Sequence, residues 1–342
     1  MAPSKKISAS SLPFELVEEI LQRTPIEALF RFKSVSKQWY ALFNDKIFFY
    51  KHLDHSKEGF MLSDHKSFKL FNVEPKALLS LPKPDVLHNC ILIHCDGLLL
   101  FSFVKIRKDG HETRKLAVWN PVLRRVKCIE LSRSYQILDF FGFGYDNVSR
   151  DNYKILRINY TDFTYKKAKS LEIEIYEFKS KLWRSVNATL ECCPPSGAVS
   201  LNGDMYFISQ KTITVDNKNK KFIQSFDFST ETFKTICCVP DGVEWFSSDH
   251  NTLVLSGFGR DRLSLLQRHE HVKIDVWVTS KVTDDGIVSW SKYFNVSLRH
   301  DPSIVSSSFL TAFILKNNKI MLLYERNRCQ EDRYLRRCLR NG

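Results

Sequence analysis

The sequence predicts an α+β chain of two domains, a small N-terminal helical module followed by a mostly β domain. Three observations carry that prediction. Apolar residues between Leu12 and Leu53 recur at helical spacing. From Gly59 onward the pattern changes to short β-branched and aromatic runs separated by turn residues. Within this larger domain a single hairpin pattern returns about every fifty residues, the length of a four-stranded propeller blade of the kelch type.

Residues 1–10 are a polar lead, expected to be disordered. In residues 11–54, Leu12-Pro13 opens the first of three expected helices, with proline where a missing N–H costs nothing. Glu15, Glu18 and Glu19 fall early and Arg23 at the end, the order the helix macrodipole favours. Leu16, Val17, Ile20 and Leu21 share one face. Thr24-Pro25-Ile26-Glu27 reads as a capping box that starts a second helix carrying Ala28, Leu29 and Phe32. Ser34 reads as the cap of a third, with Val35, Trp39 and Leu42 at i, i+4 and i+7. A helical trio of about forty residues is too small to bury a full core and wants a partner surface.

At 342 residues and 43% hydrophobic, the chain can bury a large core beside a small one. Its 12 Gly and 11 Pro exclude collagen-like or linker-dominated readings. The richest apolar stretch, Ile91 to Val104, is broken by His94 and Asp96, so no membrane span is expected. The first residues lack an apolar signal region, so a cytoplasmic or nuclear location is expected. Nine cysteines form no C-x-x-C and show no zinc spacing. Cys90, Cys95, Cys128, Cys192, Cys193, Cys237 and Cys238 read as small apolar fillers in reduced form. The net charge of +13 is scattered, apart from a tail at 326–342 with Arg326, Arg328, Arg333, Arg336, Arg337 and Arg340. Such a tail reads as solvated and disordered, and the scatter argues against a nucleic-acid surface.

Residues 59–325 form the second domain. Gly59–Ser63, Cys90–Cys95, Gly97–Val104, Tyr153–Tyr160, Leu171–Phe178, Asp204–Ser209, Thr252–Phe258 and Val272–Val278 read as strands. Lys108-Asp109-Gly110, Asn202-Gly203-Asp204 and Asp284-Asp285-Gly286 are among the turns that separate them. Trp119, Tyr176, Phe226 and Val276 recur at intervals of 57, 50 and 50 residues. After the first three, an apolar residue and a base follow at fixed distance: Val126-Lys127, Trp183-Arg184 and Phe233-Lys234. In the fourth, Trp290-Ser291-Lys292 takes the second-strand place. An irregular β-propeller explains this beat; a β-sandwich with coincidental hairpins is the alternative.

The helical stretch resembles an F-box. Leu12, Pro13, Leu16, Ile20, Leu21, Pro25, Leu29, Arg31, Phe32, Val35, Ser36, Lys37, Trp39 and Leu42 carry the resemblance in order. It implies docking onto the Skp-type adaptor, and through it cullin, of an SCF (Skp-cullin-F-box) ubiquitin ligase. The implied adaptor-binding residues are Leu12, Pro13, Leu16, Val17, Ile20, Leu21, Pro25, Leu29, Val35, Ser36 and Trp39. His94 to Leu100, Val118-Trp119-Asn120-Pro121, Phe141 to Asp146, Asp151-Asn152-Tyr153-Lys154, Leu201 to Tyr206 and Ile274 to Val278 resemble the plant F-box-associated domain, which is kelch-like. That resemblance implies a domain that binds the protein to be ubiquitinated. After Ile320 to Tyr324 the family continues with more strand, whereas here the arginine-rich tail follows, so an unpaired edge is expected on that blade.

Other constellations carry little chemistry. His269-Glu270-His271 puts two imidazoles on one strand face without a third ligand, so no metal is expected. Gly142-Phe143-Gly144 and Gly257-Phe258-Gly259 lack the third glycine and helix of a dinucleotide site, and close strand approach explains them. Asp96, Asp146 and Asp227 read as hydrogen-bonded blade anchors. No catalytic residue and no cofactor are expected. The reading is a non-catalytic adaptor; an enzymatic or nucleic-acid-binding propeller is the alternative.

Overall fold

The computed structural model describes residues 12–24, 26–32, 34–55, 59–63, 67–72, 78–82, 92–106, 112–120, 125–134, 139–148, 150, 152–160, 163–164, 167–168, 171–190, 196–213, 218–241, 243, 253–259, 261–269, 273–282, 288–297, 310–315, 319–324 and 337–339. The chain divides into two compact units, Met1–Gly59 and Phe60–Gly342.

The first unit is helical, with four helices where three were expected: α1 (Phe14–Gln22), α2 (Ile26–Phe32), α3 (Lys37–Leu42) and α4 (Lys46–His55). Pro13 caps α1 through its carbonyl, which accepts from the N–H groups of Leu16 and Val17. Two expected caps differ. The Thr24 hydroxyl donates back to the Ile20 carbonyl (2.8 Å), closing α1. Ser36, not Ser34, caps α3: its Oγ accepts from the Trp39 N–H at 3.1 Å, while the Ser34 hydroxyl donates to the Arg31 carbonyl. The fourth helix restarts at Asp45, whose carboxylate accepts from the Ile47 N–H. It is needed because Phe48 completes a core of Leu21, Leu29 and Leu42, edged by Val17, Phe32, Trp39 and Phe43. Buried His52 fixes α4 by donating Nε2 to the Thr24 carbonyl (2.8 Å).

The second unit is a β-propeller built from antiparallel meanders. β1 (Gly59–Ser63), β2 (Ser67–Asn72) and β3 (Leu78–Pro82) form a three-stranded sheet. The first four-stranded blade contains β4 (Leu92–Cys95), β5 (Leu98–Ile106), β6 (Glu112–Asn120) and β7 (Arg125–Ile129). The second contains β8 (Phe140–Tyr145) and β9 (Tyr153–Tyr160), then, after a small hairpin of β10 (Phe163–Thr164) and β11 (Lys167–Ala168), β12 (Leu171–Glu177) and β13 (Leu182–Ser185). The third holds β14 (Ser196–Leu201), β15 (Asp204–Ile213), β16 (Lys218–Asp227) and β17 (Thr232–Cys238). The fourth holds β18 (Leu253–Phe258), β19 (Arg262–His269), β20 (Lys273–Thr279) and β21 (Trp290–Ser297). β22 (Leu310–Leu315), β23 (Lys319–Tyr324) and β24 (Arg337–Leu339) complete the series.

The first strands of the blades lie together: β4 beside β8, β8 beside β14, β14 beside β18, and β18 beside β22. Alternation along each strand then sends neighbouring residues to different blade interfaces. Ile155 and Tyr176 pack toward Ile93, Leu116 and Val118 of the first blade. Leu156, Ile158 and Ile175 pack toward Met205, Phe207 and Phe226 of the third. A sandwich would bury one face of each sheet, whereas the second blade buries both. Gly144 faces the third blade, where an added Cβ would strike the Gly203 carbonyl and the Phe228 ring; the Tyr145 N–H donates to that same carbonyl at 3.0 Å. Close approach, not phosphate binding, is why glycine stands there. Asp96-Gly97 and Asn202-Gly203 make two-residue hairpins with positive φ at both positions (47° and 77°, 52° and 89°).

Two expectations change in the last third of the chain. The Tyr176 place in the fourth blade falls to Thr279 rather than Val276. Trp290 opposite Thr279 donates to the Cys238 carbonyl (2.9 Å), as Trp183 opposite Tyr176 donates to that of Glu130 (2.6 Å). In the tail, Arg337–Leu339 pairs with β23, Met321 opposite Cys338, so the edge expected to be bare is covered over three residues. Backbone pairing asks only for free N–H and C=O groups, and a basic segment supplies them. The rest of the tail lies outside the described residues.

Candidate functional site

Two surfaces present side chains that packing does not use. The first is on the helical unit. Leu12, Leu16 and Ile20 follow one another at i, i+4 and i+8, the spacing of a core stripe. Yet they are 59%, 46% and 56% exposed. Val35, Tyr40 and Ile47 are exposed as well. Of the residues singled out from the sequence, Pro13 and Ser36 are exposed caps, and Val17 and Trp39 are half-buried. Leu21 and Leu29 are buried in the unit's own core, at 3% and 6% exposure. Pro25 lies outside the described residues. Leu29, which the resemblance implies as an adaptor-binding residue, packs inside the unit, because α2 is too short to carry both a core residue and an outward stripe there. Tyr40 and Ile47 escaped the sequence reading because neither continues a periodic stripe. The α1 surface is ringed by charge, with Arg23 paired to Glu19 (2.8 Å) and Lys51 to Glu18 (3.4 Å).

The second surface is the end of the propeller where strand-joining hairpins of neighbouring blades meet. Lys154, almost wholly buried, donates to the Phe228 carbonyl and to Glu231 Oε1, both at 2.8 Å. Glu231 also accepts from Arg184 of the preceding blade, which is held in turn by Glu177 (Nε to Oε1, 3.0 Å). The Asn147 N–H donates to Ser229 Oγ (2.8 Å), closing the same junction. The anchor reading of the aspartates holds. Asp227 Oδ1 accepts from Ser229 and Thr230 N–H groups, Asp146 Oδ1 from Val148 N–H, and Asp96 Oδ2 from Arg150 and Tyr153.

Burial works to raise the Glu231 pKa, but the hydrogen bonds from Arg184 and Lys154 outweigh it and hold the carboxyl below the ordinary glutamate value. A carboxyl depressed in the folded state contributes stability that is present above its unfolded pKa and lost as pH falls through its folded pKa. Acidification from neutral through and below the glutamate range should thus loosen the junction of the second and third blades. Urea midpoints measured across that range should fall in the parent and fall less in Glu231→Gln; equal slopes would refute the assignment.

Among the described residues no group of three His, Cys, Asp or Glu side chains could hold a metal. Glu270 and His271 lie outside them. No described helix is long and apolar enough to cross a membrane. Cys95 is buried as expected of a filler, but Cys128 and Cys238 are exposed, because the outermost strand of a blade has no neighbour on one side.

A helical module with unburied leucine and isoleucine side chains, followed by a propeller with interlocked hairpins, defines the class: a small helical module with an exposed apolar stripe, joined in sequence to a β-propeller. Residues 9–51 match the F-box domain and residues 58–337 the F-box associated beta propeller domain. An F-box protein of Arabidopsis thaliana, At3g08750, is 42% identical over 316 residues, 89% of this chain and 79% of its own. The F-box/WD-40 repeat-containing protein 1 of the same plant is 40% identical over 332 residues, 92% of this chain and 77% of its own. This chain belongs to the family of F-box proteins with an F-box associated β-propeller domain. Among solved structures, the β-propeller domain of the Trilobed protease from Pyrococcus furiosus aligns with 69% of this chain and 64% of its own at 12% identity and TM-score 0.37.

Proposed function

We propose that this chain is the substrate-recognition adaptor of an SCF ubiquitin ligase, acting in the cytoplasm or nucleus. The helical unit binds the Skp-type adaptor, and through it cullin, with Leu12, Leu16, Ile20 and Val35 as contacts. Pro13 and Ser36 set the helix ends from which those side chains project, while Val17, Leu21, Leu29 and Trp39 hold the helices in place from within. Pro25 is a further contact in this proposal. The propeller holds the protein to be ubiquitinated. The observation that supports this best is the exposure of Leu12, Leu16 and Ile20 at core spacing: three large apolar side chains left in water cost stability unless a partner covers them. The chain is non-catalytic in this reading. It supplies proximity and orientation, which alone are worth many orders of magnitude in rate when two reactants are held together. Affinity purification of the tagged chain from plant cells should recover a Skp-type adaptor and a cullin together. Recovery of other partners with neither of these would overturn the reading.

A further inference from the structure

The repeat places equivalent residues at the junction of the first and second four-stranded blades and at that of the second and third. At the second and third blades the base is Arg184, opposite Ile175 on β12. It is gripped by two acids, Glu177 at the end of its own hairpin and Glu231 in the hairpin turn of the next blade. One junction earlier the base is Lys127, opposite Val118 on β6. The position of Glu177 is held there by Asn120, which is neutral, and the position of Glu231 by Lys181, which has the wrong sign. The two turn residues are structurally equivalent: Lys181 and Glu231 both adopt a left-handed backbone (φ 60° and 57°) and donate their N–H to Glu177 and Asp227 carbonyls. Both acids that hold the base at one junction are therefore missing from the other.

Lys127 and Lys181 have no carboxylate partner among the described residues. Lys127 lies over the Phe178 ring at 4.4 Å and the Tyr176 ring at 5.7 Å. Though it is exposed overall, partial burial there, and then the Lys181 ammonium, hold its pKa below the usual lysine range. Arg125, two residues back on β7, projects to the same side. Val126 and Leu182, beside the two lysines in sequence, are exposed apolar residues. The acids around the neighbouring junction are already paired, so they do not neutralise this cluster.

We propose that the junction of the first and second four-stranded blades, centred on Lys127 and Lys181, docks an acidic segment of the target protein, whose carboxylate takes the place Glu231 fills one blade further on. Cation, aromatic floor and exposed apolar residues suit a glutamate or aspartate flanked by an apolar residue. This rests on the adaptor reading only for the identity of the ligand as a target; the site itself is a property of the propeller.

The test uses the full chain and a fluorescein-labelled peptide of alternating Glu and Leu, followed by fluorescence anisotropy. Binding should be saturable and weaken with salt. Lys181→Glu should supply the missing acid internally and reduce affinity by about tenfold or more. Lys127→Gln should reduce it comparably. Lys234→Gln, at the equivalent place in the third blade where the ammonium already pairs with Asp227, should change it by no more than about twofold. Unaltered thermal melting of each variant excludes misfolding. Parent-like affinity in Lys181→Glu would sink the proposal. So would tighter binding of a single-stranded RNA of equal charge, or of a phosphoserine peptide, at the same residues. Adaptor co-purification is scored on the parent chain beside peptide binding: peptide bound with no adaptor recovered counts against the ligase reading alone, and adaptor recovered with no saturable peptide binding against this site alone.

Discussion

Leu16→Asp combined with Ile20→Asp should abolish co-purification of the Skp-type adaptor without unfolding the chain. Both side chains are about half exposed on α1 and contribute little to the unit's own core. Placing carboxylates there costs little in the free protein, but it buries charge against an apolar partner, a penalty of several kcal/mol for each ion. At 1.4 kcal/mol per decade, two such residues take even a nanomolar complex out of the detectable range. Leu29→Ala provides the contrast. Leu29 is only 6% exposed and packs with Leu21, Leu42 and Phe48. Its truncation should destabilise the helical unit by about 2–5 kcal/mol, so adaptor binding is lost together with helical circular dichroism. Retained binding in the double aspartate variant at matched expression would remove α1 from the interface.

Arg157→Met should be the most destabilising single change in the propeller. The side chain is wholly buried, and its Nη2 donates to Asp139 Oδ2 (2.8 Å) and to the Ser134 carbonyl (2.9 Å). Nη1 reaches Ser132 Oγ and the Arg133 carbonyl (3.4 Å each) and Glu174 Oε2 (3.5 Å). Arg157 on β9 thereby fastens the segment that follows β7 to the second blade. Methionine fills much of the volume but removes the cation that compensates a fully buried carboxylate, at a cost of about 3–5 kcal/mol. Arg157→Met with Asp139→Leu should recover some of the loss, because removing both charges restores a neutral interior. Urea denaturation followed by tryptophan fluorescence distinguishes the outcomes. A single variant within about 1 kcal/mol of the parent would mean that water reaches the site on substitution.

The division into a helical module and a propeller, the strand segments, the hairpin repeat and the Asn202-Gly203 turn are all local in origin. Periodicity, β-branching, capping chemistry and the positive-φ tolerance of glycine act over a few residues, and neighbouring side chains report them directly. The fourth helix escaped because Lys46–His55 carries apolar residues on more than one side, with buried Phe48 beside exposed Ile47, so no single stripe marks it. Whether a leucine serves the core or a partner was likewise beyond the pattern. Leu16 and Leu29 both sit at helical spacing, and only the packing of α2 against α4 and α3 decides that Leu29 goes inward and Leu16 stays in water.

The propeller shows the same boundary. Sequence alone determined that an aromatic, a polar residue, a turn, an apolar residue and a base recur in hairpins at a blade-length interval, because that pattern is written within each blade. Which acid meets which base across a junction was decided by the tertiary structure. Glu231 reaches Arg184 across 47 residues, and Lys181 faces Lys127 across 54, only because successive blades turn about a common axis. Charge acts through space, at a few ångströms and in low dielectric. A string of residues holds no distances, so a junction that lacks the acids of its neighbour could be found only once the blades were placed side by side.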